Sequence, residues 1–445
     1  MKRKILVVCN DVIGVKMAGP AIRCVEIARQ LASEHAVVLA SPNVSLQVTT
    51  PFEIIEFSSQ RFRQVADEAD IIVVQGDALR AHPFLKDSSA VLVADLYCPI
   101  PLEYHQVSDG VDMETRTLTG AYLADVVREQ LAYADHFICA SERQRNYWLG
   151  ALTAMGRINA LRWPNASRAN VDDLISLLPF GLSPIKPRRE RNALREMFNI
   201  PVDDFVLVWG GGIYQWFDPL TVIRAVKQLV ERGYRVHLAF VGVKHPNPGI
   251  SQHDMCAAAV ALSDELGLTG KFVHFNFGWV SYEDRHNYLL DANVGVSAHY
   301  NNPETIFSFR TRMLDYLWCG LPVVSTRGDV FGDSLAAEDC GIAIDYECVD
   351  GWVSAIKALM DDRGSLGAMS DSVFAYAEAF RWDRVVADFC ARCGSLTKAA
   401  DRDLVRQSLM PTAGLSILRR IKRSYSQGGF SALLRAVMRK VRRYA

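Results

Sequence analysis

No stretch of about 18 consecutive apolar residues occurs in this 445-residue chain, so nothing in it reads as a membrane-spanning helix. Net charge is almost absent as well. Lys and Arg number 49 against 50 Asp and Glu, which gives nucleic-acid binding no global electrostatic support. The ten cysteines are scattered. Several, such as Cys9, Cys139 and Cys319, sit inside apolar runs, the usage of reduced core residues rather than of a disulfide framework. The C-x-x-C pair Cys390 and Cys393 lies in a helical pattern with no second pair or histidine cluster, which argues against zinc or redox chemistry there. The opening MKRKILVVCN imitates a leader, but its apolar run is too short and Asp11 follows at once. Residues 4–9 therefore read as a buried first strand.

What is present is a regular alternation of short apolar runs and helical patterns, the grammar of parallel sheets. The length exceeds the 250 to 300 residues or so that one core usually supports, so two domains are expected. Strands are predicted at 4–9, 36–40, 53–57, 71–74, 90–94 and 136–140, with helices between them, notably 21–33 and 118–133. After a Pro-rich and basic loop a second series follows. Its strands are predicted at 205–209, 236–241, 272–275, 294–297, 322–325 and 341–344, and its helices at 219–231, 252–266, 282–290, 311–319 and 351–360. A helix over 380–393 is then placed back across the cleft on the first half.

In open parallel sheets, ligands sit beyond the carboxyl ends of the strands. After the first strand, Gly14, Gly19 and Pro20 precede a helix, and Gly19 permits close backbone approach to an anionic or hydroxyl-rich ligand. This is not a G-x-G-x-x-G fingerprint. The second half opens alike, with Gly210, Gly211 and Gly212 between a buried strand and a helix capped by Asp218. In the first half VLVADLYCPIPLEYH puts Asp95 at a strand end, followed by Tyr97, Glu103 and His105. That carboxylate accepts a proton, orients a hydroxyl or caps a turn. The densest polar group is NNPETIFSFRTRMLDYLWCGLPVV, residues 301–324. Here Glu304 precedes Arg310, Arg312 and Asp315, and a guanidinium at a helix entrance suits a diphosphate. An internal Arg–Asp bridge is the competing reading of the same residues.

These segments resemble the family 4 glycosyltransferases of GT-B fold, in particular the bacterial branch of polysaccharide and O-antigen synthesis. The resemblance rests on GPAIR (19–23), DLYCP (95–99), WGGGIYQWFDP (209–219) and FRTRMLDYLWCGLP (309–322). It implies an α/β architecture of two Rossmann-like domains facing a cleft, with a C-terminal helical extension. The acceptor domain is placed at 1–183, the nucleotide-sugar domain at 184–379, a crossover helix at 380–400 and a basic amphipathic tail at 401–445. It further implies a retaining transfer of a sugar from a nucleotide diphosphate sugar, as co-substrate and without a cofactor, to a saccharide acceptor. No divalent metal is expected, because basic side chains and helix amides stabilise the leaving group in this family. Catalysis is expected of Asp95, Glu304, Arg310 and Arg312. Donor binding is expected of Gly211, Gly212, Trp216, Asp218, Trp279, Ser308, Phe309 and Asp315, and acceptor contacts of Gly19, Arg23 and Tyr97. Two features depart from the family pattern. Counting eight back from Asp315 gives Phe307 where a first glutamate is usual, and the loop 210–218 lacks the usual Arg and Lys.

The even charge balance hides an asymmetry. Nine basic and no acidic residues lie in 415–445, leaving 40 against 50 in the rest. Leu433, Leu434, Val437, Met438 and Val441 share one helical face, the pattern of a cationic helix that lies on an anionic bilayer. The expected setting is cytoplasmic, peripheral on the inner face of the plasma membrane, with a polyprenyl-linked acceptor. A sugar-nucleotide 2-epimerase and a catalytically silent GT-B scaffold are the alternatives.

Overall fold

The structure is a computed structural model and describes residues 2–14, 17–44, 48–108, 110–243, 253–278, 280–281 and 283–408. The basic segment 415–445 lies outside the described residues, as do Trp279 and residues 245–248.

Two all-parallel sheets form because their strands are apolar runs rather than alternating ones, and such strands need cover on both faces. The first sheet holds β1 (Lys4–Val8), β2 (Ala36–Ser41), β3 (Glu53–Glu56), β4 (Ile71–Gln75), β5 (Val91–Asp95), β6 (His136–Cys139) and β7 (Ile175–Leu177), in the order β3-β2-β1-β4-β5-β6-β7. The second holds β8 (Phe205–Trp209), β9 (Val236–Phe240), β10 (Val273–Phe275), β11 (Val294–Ser297), β12 (Val323–Thr326) and β13 (Gly341–Ile344), in the order β10-β9-β8-β11-β12-β13. Every residue of β4 and of β8 is buried. In each sheet the winding reverses beside the first strand, between β1 and β4 and between β8 and β11. A reversal of this kind opens a crevice at the strand ends, and the two glycine-bearing loops leave from there.

All twelve predicted strands appear within one or two residues of their expected bounds. β7 was not anticipated. The helix Gly19–Leu31 carries Pro20 in its first turn and buries Ala21, Arg23, Cys24, Ile27 and Leu31. Pro219–Glu231 starts at Asp218, whose carboxylate accepts from the Thr221 N–H at 3.0 Å.

The chain returns to the first half where expected, in a broken form. Leu182 N–H donates to Phe380 O (2.8 Å) and Trp382 N–H to Leu182 O (3.0 Å), so the outgoing and returning segments are hydrogen-bonded to each other. A Cβ at Gly181 would stand 2.5 Å from the Trp382 ring, so only glycine fits this crossing. The predicted 380–393 helix is two pieces, Trp382–Val385 and Ala387–Cys393, packed on Gly19–Leu31. His35 Nε2 meets Cys390 O at 3.1 Å. Beyond it Asp401 enters a fully buried ion pair with Arg157 (2.9 Å), and the helix Arg402–Ser408 closes the described chain on the first half. All ten cysteines are free.

Candidate active site

A cavity of about 400 Å³ opens between the halves, lined from the first by Gly19, Tyr97, Cys98, Glu103 and Phe180 and from the second by the Gly210–Gly212 loop and the segment around Arg310. Gly211 has φ +76°, the left-handed region that suits glycine. The Gly210 N–H donates to the Tyr316 hydroxyl at 2.8 Å, and that hydroxyl donates to Val296 O at 2.9 Å. Tyr316 therefore pins the glycine loop to the sheet. Sequence reasoning missed it, since its partner lies 106 residues away.

The helix Thr311–Trp318 begins at this cavity with Arg310 at its N-cap and no side chain capping its first turn. Its first amides and the positive end of its dipole suit an anion. Within that first turn, Arg312 is 8% exposed. Its Nη2 donates to Gly212 O at 2.7 Å, and its Cζ stands 3.9 Å from the Phe217 ring centre and 4.7 Å from that of Trp209. Its Nη1 is buried with no hydrogen-bond partner among the described residues. Burial pushes its pKa down to about 10, which leaves it cationic at neutral pH. Arg312 is thus a buried cation on the cavity wall, held by a carbonyl and two aromatic faces instead of a carboxylate.

Arg310, expected like Arg312 to be catalytic, is instead tied to a carboxylate. Its Nη1 and Nη2 donate to the two Glu304 carboxylate oxygens at 2.8 and 2.7 Å, and Glu304 is fully buried. Nε stands 3.9 Å from Asp329 Oδ2, itself 4.0 Å from His299 Nδ1. Burial pushes the His299 imidazole down to about 4, so it is neutral. Arg310 is already neutralised and Arg312 is not, because the helix Pro303–Phe307 delivers Glu304 to one of them alone.

Neither arginine pairs with Asp315. Asp315 Oδ1 is met instead by Arg285 Nε at 2.7 Å, and that guanidinium lies 4.4 Å over the Trp318 ring. Arg285, Asp315, Trp216, Ser308 and Phe309 all line the cavity. Trp216 stacks on Tyr214, and Phe309 stacks on Phe180 across the two halves. Arg285 was not anticipated, because nothing local in the sequence ties it to Asp315.

Three expected site residues turn out to hold the scaffold. Asp95 and Arg23 form a buried bidentate pair (2.6 and 2.9 Å), and Arg23 also donates to Leu178 O. Arg23 is fully buried and Asp95 is 4% exposed. With both oxygens taken by a guanidinium, Asp95 is not a free proton acceptor, and Arg23 is not available to an acceptor. Asp95 borders a second cavity of about 220 Å³ at the ends of β1, β4 and β5, which shares Pro20, Tyr97 and Cys98 with the cleft. Asp218 is 2% exposed, caps its helix and is absent from the cavity wall among the described residues.

With this geometry in view, residues 204–362 match the family described as glycosyl transferases group 1. Over 195 residues the chain is 23% identical to D-inositol 3-phosphate glycosyltransferase of Rhodococcus opacus (strain B4), covering 44% of this chain and 42% of that protein. The match therefore spans well under half the length of that curated relative. Among solved structures, HepE of Anabaena in complex with UDP-glucose superposes with a TM-score of 0.64 at 15% identity, covering 88% of this chain and all of that one. Sucrose-phosphate synthase from Thermosynechococcus elongatus gives 0.60 at 18% identity, covering 87% and 97%. The two sheets and their helical extension are a GT-B fold.

Proposed function

We propose that the protein is a glycosyltransferase that moves a sugar from a nucleotide diphosphate sugar to a saccharide hydroxyl in the interdomain cleft. The observation that carries this is Arg312, a buried cation with an unpartnered Nη1 on the cavity wall, at the entrance of a helix and beside a glycine loop. A cation taken out of water without a carboxylate is costly, and here it is well placed for a leaving diphosphate. The first-turn amides of Thr311–Trp318 add to it. Fixed donors in a water-poor cleft stabilise the developing charge without reorganising, typically by about 3 to 4 kcal/mol for each donor. Asp315, with one oxygen on Arg285, is assigned to the ribose hydroxyls, and Trp216 with Tyr214 to the base or the sugar.

The finer reading follows from the motifs at 19–23, 95–99, 209–219 and 309–322. It is a retaining, metal-independent transfer onto a lipid-linked saccharide in cell-surface polysaccharide synthesis. The basic segment 415–445 supports attachment to an anionic membrane surface. Deleting 416–445 and following membrane partition in a lysate tests the attachment, and unchanged partition rejects it.

Thermal unfolding against UDP, GDP, dTDP and CMP tests the main reading, since a ligand at 100 times its Kd stabilises by about 2.7 kcal/mol. A shift with one nucleotide, followed by slow hydrolysis of its sugar conjugates, is expected. An isomerised sugar would mark an epimerase, and no shift with any nucleotide would mark a scaffold.

A further inference from the structure

Carboxylic acids reach the cleft from both halves, and the surroundings of two that lie on packed helices, Glu304 and Glu103, differ. Glu304, from the second half, is gripped at both oxygens by Arg310. Glu103 comes from the first half, on the helix Ile100–Val107, which packs against the helix Pro303–Phe307 that carries Glu304. Both line the same cavity. The side-chain partner of Glu103 is the Cys98 thiol, a neutral group on the loop before its own helix. Arg310, the cation that acts on it, is already matched by Glu304.

Asp95, an acid of this half at a strand end, is closed off by Arg23. Tyr97 and Cys98 face Glu103 from the first half, and Tyr214, Glu304 and Arg310 from the second. Arg116, on the helix Met113–Tyr133, reaches the far end of the Glu103 helix at His105 O.

We propose that Glu103 takes the proton of the attacking saccharide hydroxyl, an assignment that rests on the glycosyltransferase reading above. The hydroxyl proton passes to a Glu103 oxygen as the acceptor oxygen bonds to the anomeric carbon on the face from which the diphosphate departs, which keeps the anomeric configuration. The bond from that carbon to the phosphate oxygen breaks, and its electron pair leaves on the nucleoside diphosphate. Glu103 then returns the proton to solvent once the cleft opens.

The environment fits that task. Burial, helped by the nearby Glu304 carboxylate, raises the Glu103 acid to about 7, and a base is most effective when it titrates near the working pH. Glu304, with both oxygens held by Arg310, is placed as an electrostatic partner for a positive anomeric centre.

The test uses the full chain, the nucleotide sugar selected by the thermal-shift panel with UDP-glucose as first choice, and a free oligosaccharide acceptor. Wild-type kcat should rise with pH through an inflection near 7 and then level. Glu103→Gln keeps the shape of the side chain. It should lower kcat at least about a hundredfold, abolish that inflection and leave the nucleotide-induced thermal shift unchanged. Glu103→Ala should be partly restored by added formate, which a purely structural role would not allow. A Gln variant with wild-type kcat, with the inflection intact, or with nucleotide binding lost as well would overturn the proposal. Failure of the wild type to bind any nucleotide would instead sink the parent reading.

Discussion

Replacing Arg312 by methionine separates stability from binding in a way the structure makes quantitative. Burial lowers its guanidinium from the ordinary value to about 10. At about 1.4 kcal/mol per pH unit, burial disfavours this charge by about 3 kcal/mol. Opposing that are the hydrogen bond to Gly212 O, worth about 1 kcal/mol, and the contacts with Phe217 and Trp209, worth about 1 kcal/mol each. The terms nearly cancel, so Arg312→Met should change the unliganded unfolding free energy by about 1 kcal/mol or less. Nucleotide affinity and turnover should nonetheless fall by about 3 kcal/mol, roughly a hundredfold.

Arg310→Met is the contrasting control. It leaves the Glu304 carboxylate buried and unpaired, and should cost about 3 to 5 kcal/mol of stability before any ligand is added. The assay is thermal unfolding of both variants with and without the preferred nucleotide, alongside steady-state turnover. An Arg312→Met protein that keeps the full nucleotide-induced shift would refute the placement of the diphosphate at Arg312.

Three further outcomes follow from buried charge and packing. Asp95→Asn leaves the Arg23 cation unpaired in the core, so melting should fall by about 3 kcal/mol equivalent while turnover of the folded enzyme stays within about tenfold. Unchanged melting with lost turnover would return Asp95 to the chemistry. Gly181→Ala drives a methyl into Trp382 and should destabilise by about 1 to 3 kcal/mol, read from the denaturant midpoint. His136, His274 and His299 are each pushed down to about 4 by burial. The unfolded chain therefore binds more protons than the fold between about pH 4 and 6.5, and stability falls as pH drops through that window. Each should withdraw about 2 kcal/mol by pH 5. Glu103, raised by burial, works in the opposite sense and offsets about one of the three, so the melting temperature should still fall on going from pH 7 to 5.

The sheets were legible because their strands are continuous apolar runs, which few other elements imitate. β7 escaped because it is three residues long and follows polar turns at 166–168 and 171–173. The break at Val386 escaped because Trp382, Val386 and Phe389 stay on a helical face through it. The glycine loops and the arginine pair were legible since both are local patterns at strand or helix ends. Their partners were not. Asp315 stands nearer the arginines in sequence than Glu304 does, yet backbone geometry gives Glu304 to Arg310 and Asp315 to Arg285. A strand-end aspartate looks reactive until a guanidinium 72 residues earlier is seen to occupy it. Glu103, in turn, gains its interest only from facing Glu304 across the cleft.

The crossing at Leu182 has a mechanical corollary. Two backbones joined side by side make a flat strap, which bends readily about one line and resists torsion about its length. Opening and shutting of the groove should therefore follow a single swing. Because the last described turns are clamped to the first half through Asp401, a body tethered by its carboxyl end would keep that half still and let the second half do the moving.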